Sequence, residues 1–233
     1  MTQQTDTRRS PLNRERVLRA AVELADEAGI DALSMRRLAQ DLGVVPMALY
    51  KHVANKEELL DQMVDTIVRE IDPPVRDADW KSAVRLRVLS ARRALMVHPW
   101  ARSVIETRTN TTSAVLEYMD TLAGLFLAGG LTPDLTHHVM HALGSRMWGF
   151  TQEVFDDSEG REPSEITPDA QTAMIQHMAE SHPHLLKIAL AAAHDDASVV
   201  GHGCDDQFEF EFALDLLLDG VERLHERSWR SGG

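Results

Sequence analysis

Between Ser34 and Val53 the chain reads as two short amphipathic segments hinged on one glycine, and this arrangement constrains the fold more than any other feature. Ser34 to Asp41 makes about two helical turns, Leu42-Gly43-Val44 a tight turn, and Val45 to Val53 about two turns again. That is the spacing of a helix-turn-helix, in which the second helix enters the major groove of DNA. Ser34 is an N-cap residue, and Gly43 allows the left-handed backbone that such a turn needs. Leu38, Ala39, Val44 and Leu49 supply the apolar contacts between the two helices, and the small Ala39 allows close approach. Val45 begins the second helix. Its outward positions are Pro46, Met47, Ala48, Tyr50, Lys51 and His52. Tyr50 and His52 can donate to phosphate, and Lys51 or Lys56 can pair with it. Met47 and Ala48 offer apolar contact to thymine methyl groups, and Arg36 can reach a guanine edge. The same geometry also occurs in proteins that never touch DNA. On spacing alone Tyr50 as packing and Lys56 as an ordinary helix-start lysine stay open.

Helical periodicity continues through the rest of the chain, without strand-like alternation or internal repeats. Helices are expected over about Asn13–Ala28, Asn55–Ile71, Trp80–Val97, Thr111–Ala128, Thr132–Phe155, Asp169–Leu190 and Asp206–Glu226. Gly29, Pro73-Pro74 and Gly129-Gly130 act as stops, His98-Pro99 as a kink or break, and Pro183 as an interruption. Acidic loops fill Asp156–Pro168 and Asp195–Asp206. The fold class is therefore all-α: an N-terminal three-helix helix-turn-helix domain followed by an α-helical ligand-binding and dimerisation domain. The expected division is a flexible arm over 1–11, the helix-turn-helix domain over 12–54 and the larger domain over 55–233.

A net charge of −13 argues against a nucleic-acid partner until its distribution is considered. Residues 1–56 carry nine Lys/Arg against seven Asp/Glu, whereas residues 57–233 carry 15 against 30. An acidic body is repelled by phosphate and leaves only the N-terminal face to approach DNA. A generally acidic protein with an unremarkable N-terminus fits the same sums. No apolar run reaches the length of a membrane span, and the polar start is unlike a secretory signal. Cys204 is the only cysteine, which fits a reducing, cytoplasmic setting. No catalytic or dinucleotide-binding motif occurs, and acidic neighbours disfavour Cys204 as a nucleophile. Neither an enzyme nor a cofactor is expected. His137, His138 and His141 invite a metal, since His137 and His141 share a helix face. No further ligand completes that set, so surface or interface histidines are the expected reading and no metal is assigned.

The stretch from Leu12 to Met63 closely resembles the DNA-binding domain of the TetR family of repressors over about 50 residues without a gap. The resemblance is carried by the Ala-Gly turn, SMRRLAQDLGV, ALYKHV and NKEELL, and is nearest to the tetracycline repressors, which share LNRE and LY-x-HV-x-NK. It implies base contact by Arg36, base reading or positioning by Met47, Ala48 and His52, and phosphate contact by Tyr50 and Lys56. Beyond Met63 the resemblance weakens, although Asp79–Met96 and Phe208–Leu224 still look like that family's C-terminal domain. It implies dimerisation through about Pro133–Phe155 and Asp206–Glu226. The apolar pattern agrees, because Phe208, Phe212, Leu216, Leu217, Val221 and Leu224 cover more than one narrow stripe of the last helix. A central helix of a monomer would show the same breadth.

A regulator of this kind needs an effector pocket. Its candidate lining is Met96, Trp100, Ile105, Met119 and Leu122, with Phe126, Met140, Met147, Trp148 and Thr151 further along. Each of these residue types also fills ordinary cores. The family's metal–tetracycline pattern is absent, because Glu70-Ile71-Asp72 stands where a histidine is expected and Arg87 and Ala91 where an Asn and a Phe are. A different, more apolar effector is implied. The expected function is thus a ligand-responsive repressor that holds a palindromic double-stranded operator as a homodimer and is released by a small molecule. A ligand-independent DNA binder or activator of the same fold, and a helical interaction protein without DNA binding, remain alternatives.

Overall fold

The computed structural model describes residues 11–108, 111–149, 168–192 and 206–232. Among them every regular element is helical: α1 (Arg14–Ala28), α2 (Met35–Leu42), α3 (Pro46–Leu49), α4 (Lys56–Val68), α5 (Trp80–Val97), α6 (Pro99–Thr107), α7 (Ser113–Ala128), α8 (Pro133–Gly149), α9 (Pro168–Ser181), α10 (Pro183–Ala192) and α11 (Asp206–Glu226). A 3-10 turn at Ile30–Ala32 joins α1 to α2. The arm before Pro11, Phe155 and Cys204 lie outside the described residues.

Side-chain caps set several helix starts. Asn13, Ser34, Asn55 and Asp79 each accept a hydrogen bond from the backbone N–H three residues on, at 2.8, 3.2, 2.8 and 3.0 Å. This satisfies a donor that the first helical turn leaves open. Glu58 also accepts from Ala54 N at 2.6 Å, so the α4 start is tied on both sides. The helix ends account for the differences from the expected spans. α4 ends at Val68 rather than Ile71, because Glu70 N and Ile71 N bond three residues back and tighten the last turn. Pro73 then disfavours helical backbone at Asp72. The break at His98-Pro99 opens a separate helix, α6, with Pro99 in its first turn.

The described residues form two compact units. One runs up to Ala142 and includes the residues from Arg223 onward; the other spans Leu143–Glu222. In the first unit α4 packs against α1, α5, α6 and α7. A continuous core joins Val17, Leu38, Leu49, Leu59, Met63 and Ile67 to Ala94, Trp100, Ala101 and Val104. Gly129 lets the end of α7 approach α5 closely, because a Cβ there would lie 2.4 Å from Trp80 Cγ. In the second unit α9 and α10 pack as a pair broken at Pro183.

Candidate nucleic-acid interface

The elbow between α2 and α3 is built from backbone. Gly43 closes α2 in the left-handed region, at φ 67° and ψ 37°. Its N–H bonds to Gln40 O at 3.0 Å, and Val44 N bonds to Ala39 O at 2.9 Å, which ends the helix without a side-chain cap. Val45 is extended and Pro46 opens α3. The regular helix is shorter than the Val45–Val53 expected. After Leu49 the chain continues as a turn, with His52 N and Val53 N both bonded to Leu49 O at 2.8 and 3.1 Å. The sequence pattern cannot distinguish one helical turn plus a tight turn from two helical turns. Leu38, Ala39, Leu49 and Val53 are buried beneath the motif.

The outward face is therefore short and held from below. Val45 is 68% exposed, Met47 71% and Tyr50 44%. Pro46, Lys51, Lys56 and Arg36 are also exposed, and Ala48 and His52 are half-buried. No acidic residue lies between Leu42 and Lys56, so Lys51, His52 and Lys56 face solvent without a negative neighbour on that segment. The nearest acid after it, Glu57, is engaged by Arg108, whose Nη1 lies 2.5 Å from Oε2. Apolar surface rimmed by cations, with the acids removed or neutralised, is suited to a groove walled by phosphates.

Two clusters that sequence reasoning missed tie α4, the helix that follows the head, to α5 and α6. Arg108, at the end of α6, is only 14% exposed; it pairs with Glu57 and Asp61 of α4 and donates to Glu57 O at 3.1 Å. At the exit of α4, Asp72 N donates to Ser90 Oγ at 2.8 Å, and Asp72 Oδ2 accepts from Ser90 and Arg93 at 2.8 and 2.5 Å. Arg87 donates to the carbonyl of Asp72 and lies 5.0 Å from the centre of the Tyr118 ring. Burial raises the Tyr118 hydroxyl to about 12, against the lowering influence of Arg87. The resemblance had marked Asp72, Arg87 and Ala91 only as departures from a drug-binding pattern; the fold brings Asp72 and Arg87 into contact.

The candidate pocket residues occupy different settings. Trp100 and Ile105 belong with the core beneath the head. Leu122 and Phe126 are buried, the latter with its ring 5.9 Å from Trp80. Met96 and Met119 are exposed and Met140 is half-buried. Thr151 and the side chains of Met147 and Trp148 lie outside the described residues. On α11, Phe208, Phe212 and Leu216 are exposed, Leu217 and Leu224 half-buried, and Val221 buried within the chain. The His137 ring centre lies 5.2 Å from His138 and 4.7 Å from His141. Among the described residues no group of three His, Cys, Asp or Glu is placed to hold a metal ion, and no helix is long and apolar enough to cross a membrane.

Residues 17–63 match the family described as bacterial regulatory proteins, tetR family, and residues 73–225 match the tetracyclin repressor-like C-terminal domain. The tetracycline repressor protein class D of Escherichia coli is 41% identical over 221 residues, covering 91% of this chain and 89% of its own. A possible TetR family transcriptional regulator from Streptomyces coelicolor A3(2) superposes with a TM-score of 0.68 at 27% identity, over 91% of this chain and all of that one. The Streptomyces coelicolor TetR family protein ActR, in complex with actinorhodin, superposes at 0.62 with 26% identity, over 92% and 98% of the two chains.

Proposed function

This chain belongs to the TetR family of bacterial transcriptional regulators, a family of DNA-binding proteins rather than enzymes, and from that premise we propose that it is a repressor released from its operator by a small molecule. The observation that carries this reading is the α3 face. Val45, Met47 and Tyr50 stand exposed beside Lys51 and Lys56 on a segment free of acidic residues. Arg36 reads a base edge, Tyr50 and Lys56 grip phosphate, and Pro46, Met47, Ala48 and His52 complete the contact surface. A two-fold dimer places two such faces in successive major grooves, about 34 Å apart, so the operator is a palindrome. The outward Phe208, Phe212 and Leu216 of α11 support a second copy of the chain as the partner. With DNA as its target, the protein works in the cytoplasm.

The effector binds the helices behind the head and favours a setting of α4 that is incompatible with both half-sites at once. It does so only through a difference in affinity for the two states. A coupling of about 1–3 kcal/mol weakens operator binding about 5–150-fold. Asp72 bonded to Ser90 and Arg93, and Arg87 lying on Tyr118, support an effector other than a metal–tetracycline chelate. Fluorescence anisotropy with the DNA flanking the protein's own gene and a scrambled duplex, over a range of salt, tests the DNA-binding reading. Tight binding to the flanking DNA alone, weakening as salt rises, is expected. No binding to either duplex would overturn it.

A further inference from the structure

One buried, doubly engaged polar side chain of the first unit plays no part in the proposed DNA face. His98 sits in the break between α5 and α6 with its side chain 8% exposed. Its Nδ1 lies 2.8 and 3.0 Å from the two carboxylate oxygens of Asp26, on α1. Its Nε2 lies 3.3 Å from Glu70 Oε2, just past the end of α4. Trp100, on α6, donates its indole N–H to the same Asp26 at 2.6 Å, with its ring 6.2 Å from the imidazole. Among the described residues, Asp26 and Glu70 are the only charged groups bonded to the ring.

Donor counting gives this arrangement a chemical consequence. Ionised carboxylates only accept hydrogen bonds, and a neutral imidazole has a single N–H to give. With a carboxylate at each nitrogen, the neutral ring satisfies one and turns a lone pair toward the other. The imidazolium donates to both. We infer that His98 is a proton-dependent joint between the head and the helices behind it, bridging Asp26 of α1 and Glu70 beyond α4 while the ring carries two protons. On losing one, the ring keeps the shorter, more buried bond to Asp26 and releases Glu70. The segment just past α4 then loses its bonded link, through the ring, to α1. His98 is a positioning residue: it touches neither DNA nor effector and acts through the setting of α4. The consequence for DNA rests on the proposed function; the joint itself does not.

Thermal unfolding of the full chain tests the joint without any DNA. Wild type, Glu70→Gln, His98→Gln and the double variant are compared at an acidic and an alkaline pH, about pH 5.5 and about pH 8.5. Glu70→Gln is expected to lower Tm by about 1–4 °C at the acidic pH and not to lower it at the alkaline pH, where the amide can donate to the ring's lone pair. In the His98→Gln background it should have no effect at either pH. An equal Glu70→Gln effect at both pH values, or one that survives without His98, overturns the inference. If His98→Gln fails to fold, the Glu70→Gln comparison decides alone, because the Glu70 side chain is 48% exposed and outside the core. A failure here leaves the DNA-binding reading intact, and a failure to bind DNA leaves the joint intact.

Discussion

Arg36, Tyr50 and Lys56 are all exposed donors, yet their removal should be told apart by sequence dependence. Arg36→Ala removes a planar fork able to bond two acceptors of one guanine, worth about 1–3 kcal/mol of discrimination. It is expected to weaken operator binding and to relax preference at that base pair. Tyr50→Ala and Lys56→Ala should weaken binding to operator and scrambled duplex alike, and Lys56→Ala should also flatten the salt dependence. Anisotropy titrations with both duplexes separate the two patterns. If Arg36→Ala leaves affinity and preference intact, its assignment to base reading is wrong. Tyr118 offers a spectroscopic check on the region behind the head. Its hydroxyl is raised to about 12 by burial, so an ultraviolet titration should show a tyrosine in the folded chain that ionises only near that value and is missing in Tyr118→Phe. Because the folded pKa is raised, an unfolded chain gives up this proton first as pH passes about 10, and stability falls from there upward. Tyr118→Phe should flatten that alkaline decline.

The shortest α-helix among the described residues is the one proposed to meet DNA. α3 has four regular residues, Pro46–Leu49, and a helix of that length has no stability of its own. It is held by Leu49 and Val53 in the core below, and by the elbow at Gly43 above. Gly43 is therefore the position at which a single backbone change should dislodge it. At φ 67° any L-residue is strained. Gly43→Val is expected to cost about 1–2 kcal/mol or more, because a β-branched side chain tolerates that region least. Urea unfolding measures that loss, and operator affinity should fall further than the loss of stability explains. Leu49→Ala is the complementary test, expected to destabilise by about 2–5 kcal/mol through the cavity it leaves. The motif itself was legible in the sequence, since Ser34, Gly43 and Pro46 each carry a local signal. The early end of α3 was not, because a tight turn and a helical turn bury the same apolar spacing.

On the scale of the whole molecule, the last helix has two apolar faces with different destinations. Phe210, Leu214, Leu218 and Val221 are buried within the chain, while Phe208, Phe212 and Leu216 face outward. In the proposed dimer the outer face is covered by the second copy. Phe212→Glu with Leu216→Glu is expected to convert a dimer to single chains in sedimentation analysis, with little change in helical content. Operator binding should weaken with it, because each half-site then binds on its own. A double variant that remains dimeric would move the interface away from this stripe. The charge asymmetry belongs to the same scale. On the proposed reading, the 30 acids over residues 57–233 would be repelled by phosphate and leave the head to approach DNA.

The all-helical class and the elbow were legible in the amino-acid sequence, because caps, glycine turns and apolar periodicity act over a few neighbouring positions. It also carried the two faces of α11 as excess breadth, without saying which residue faced inward. Val221, read as interface, is buried in the chain, since one period fits either face. Only the tertiary structure decided what His98, Arg108, Asp72 and Arg87 do. Asp26 and His98 are separated by 72 positions, and Arg108 and Glu57 by 51. No local pattern announces such pairs. They form because α1, α4, α5 and α6 pack on one another and so bring distant charges within bonding distance.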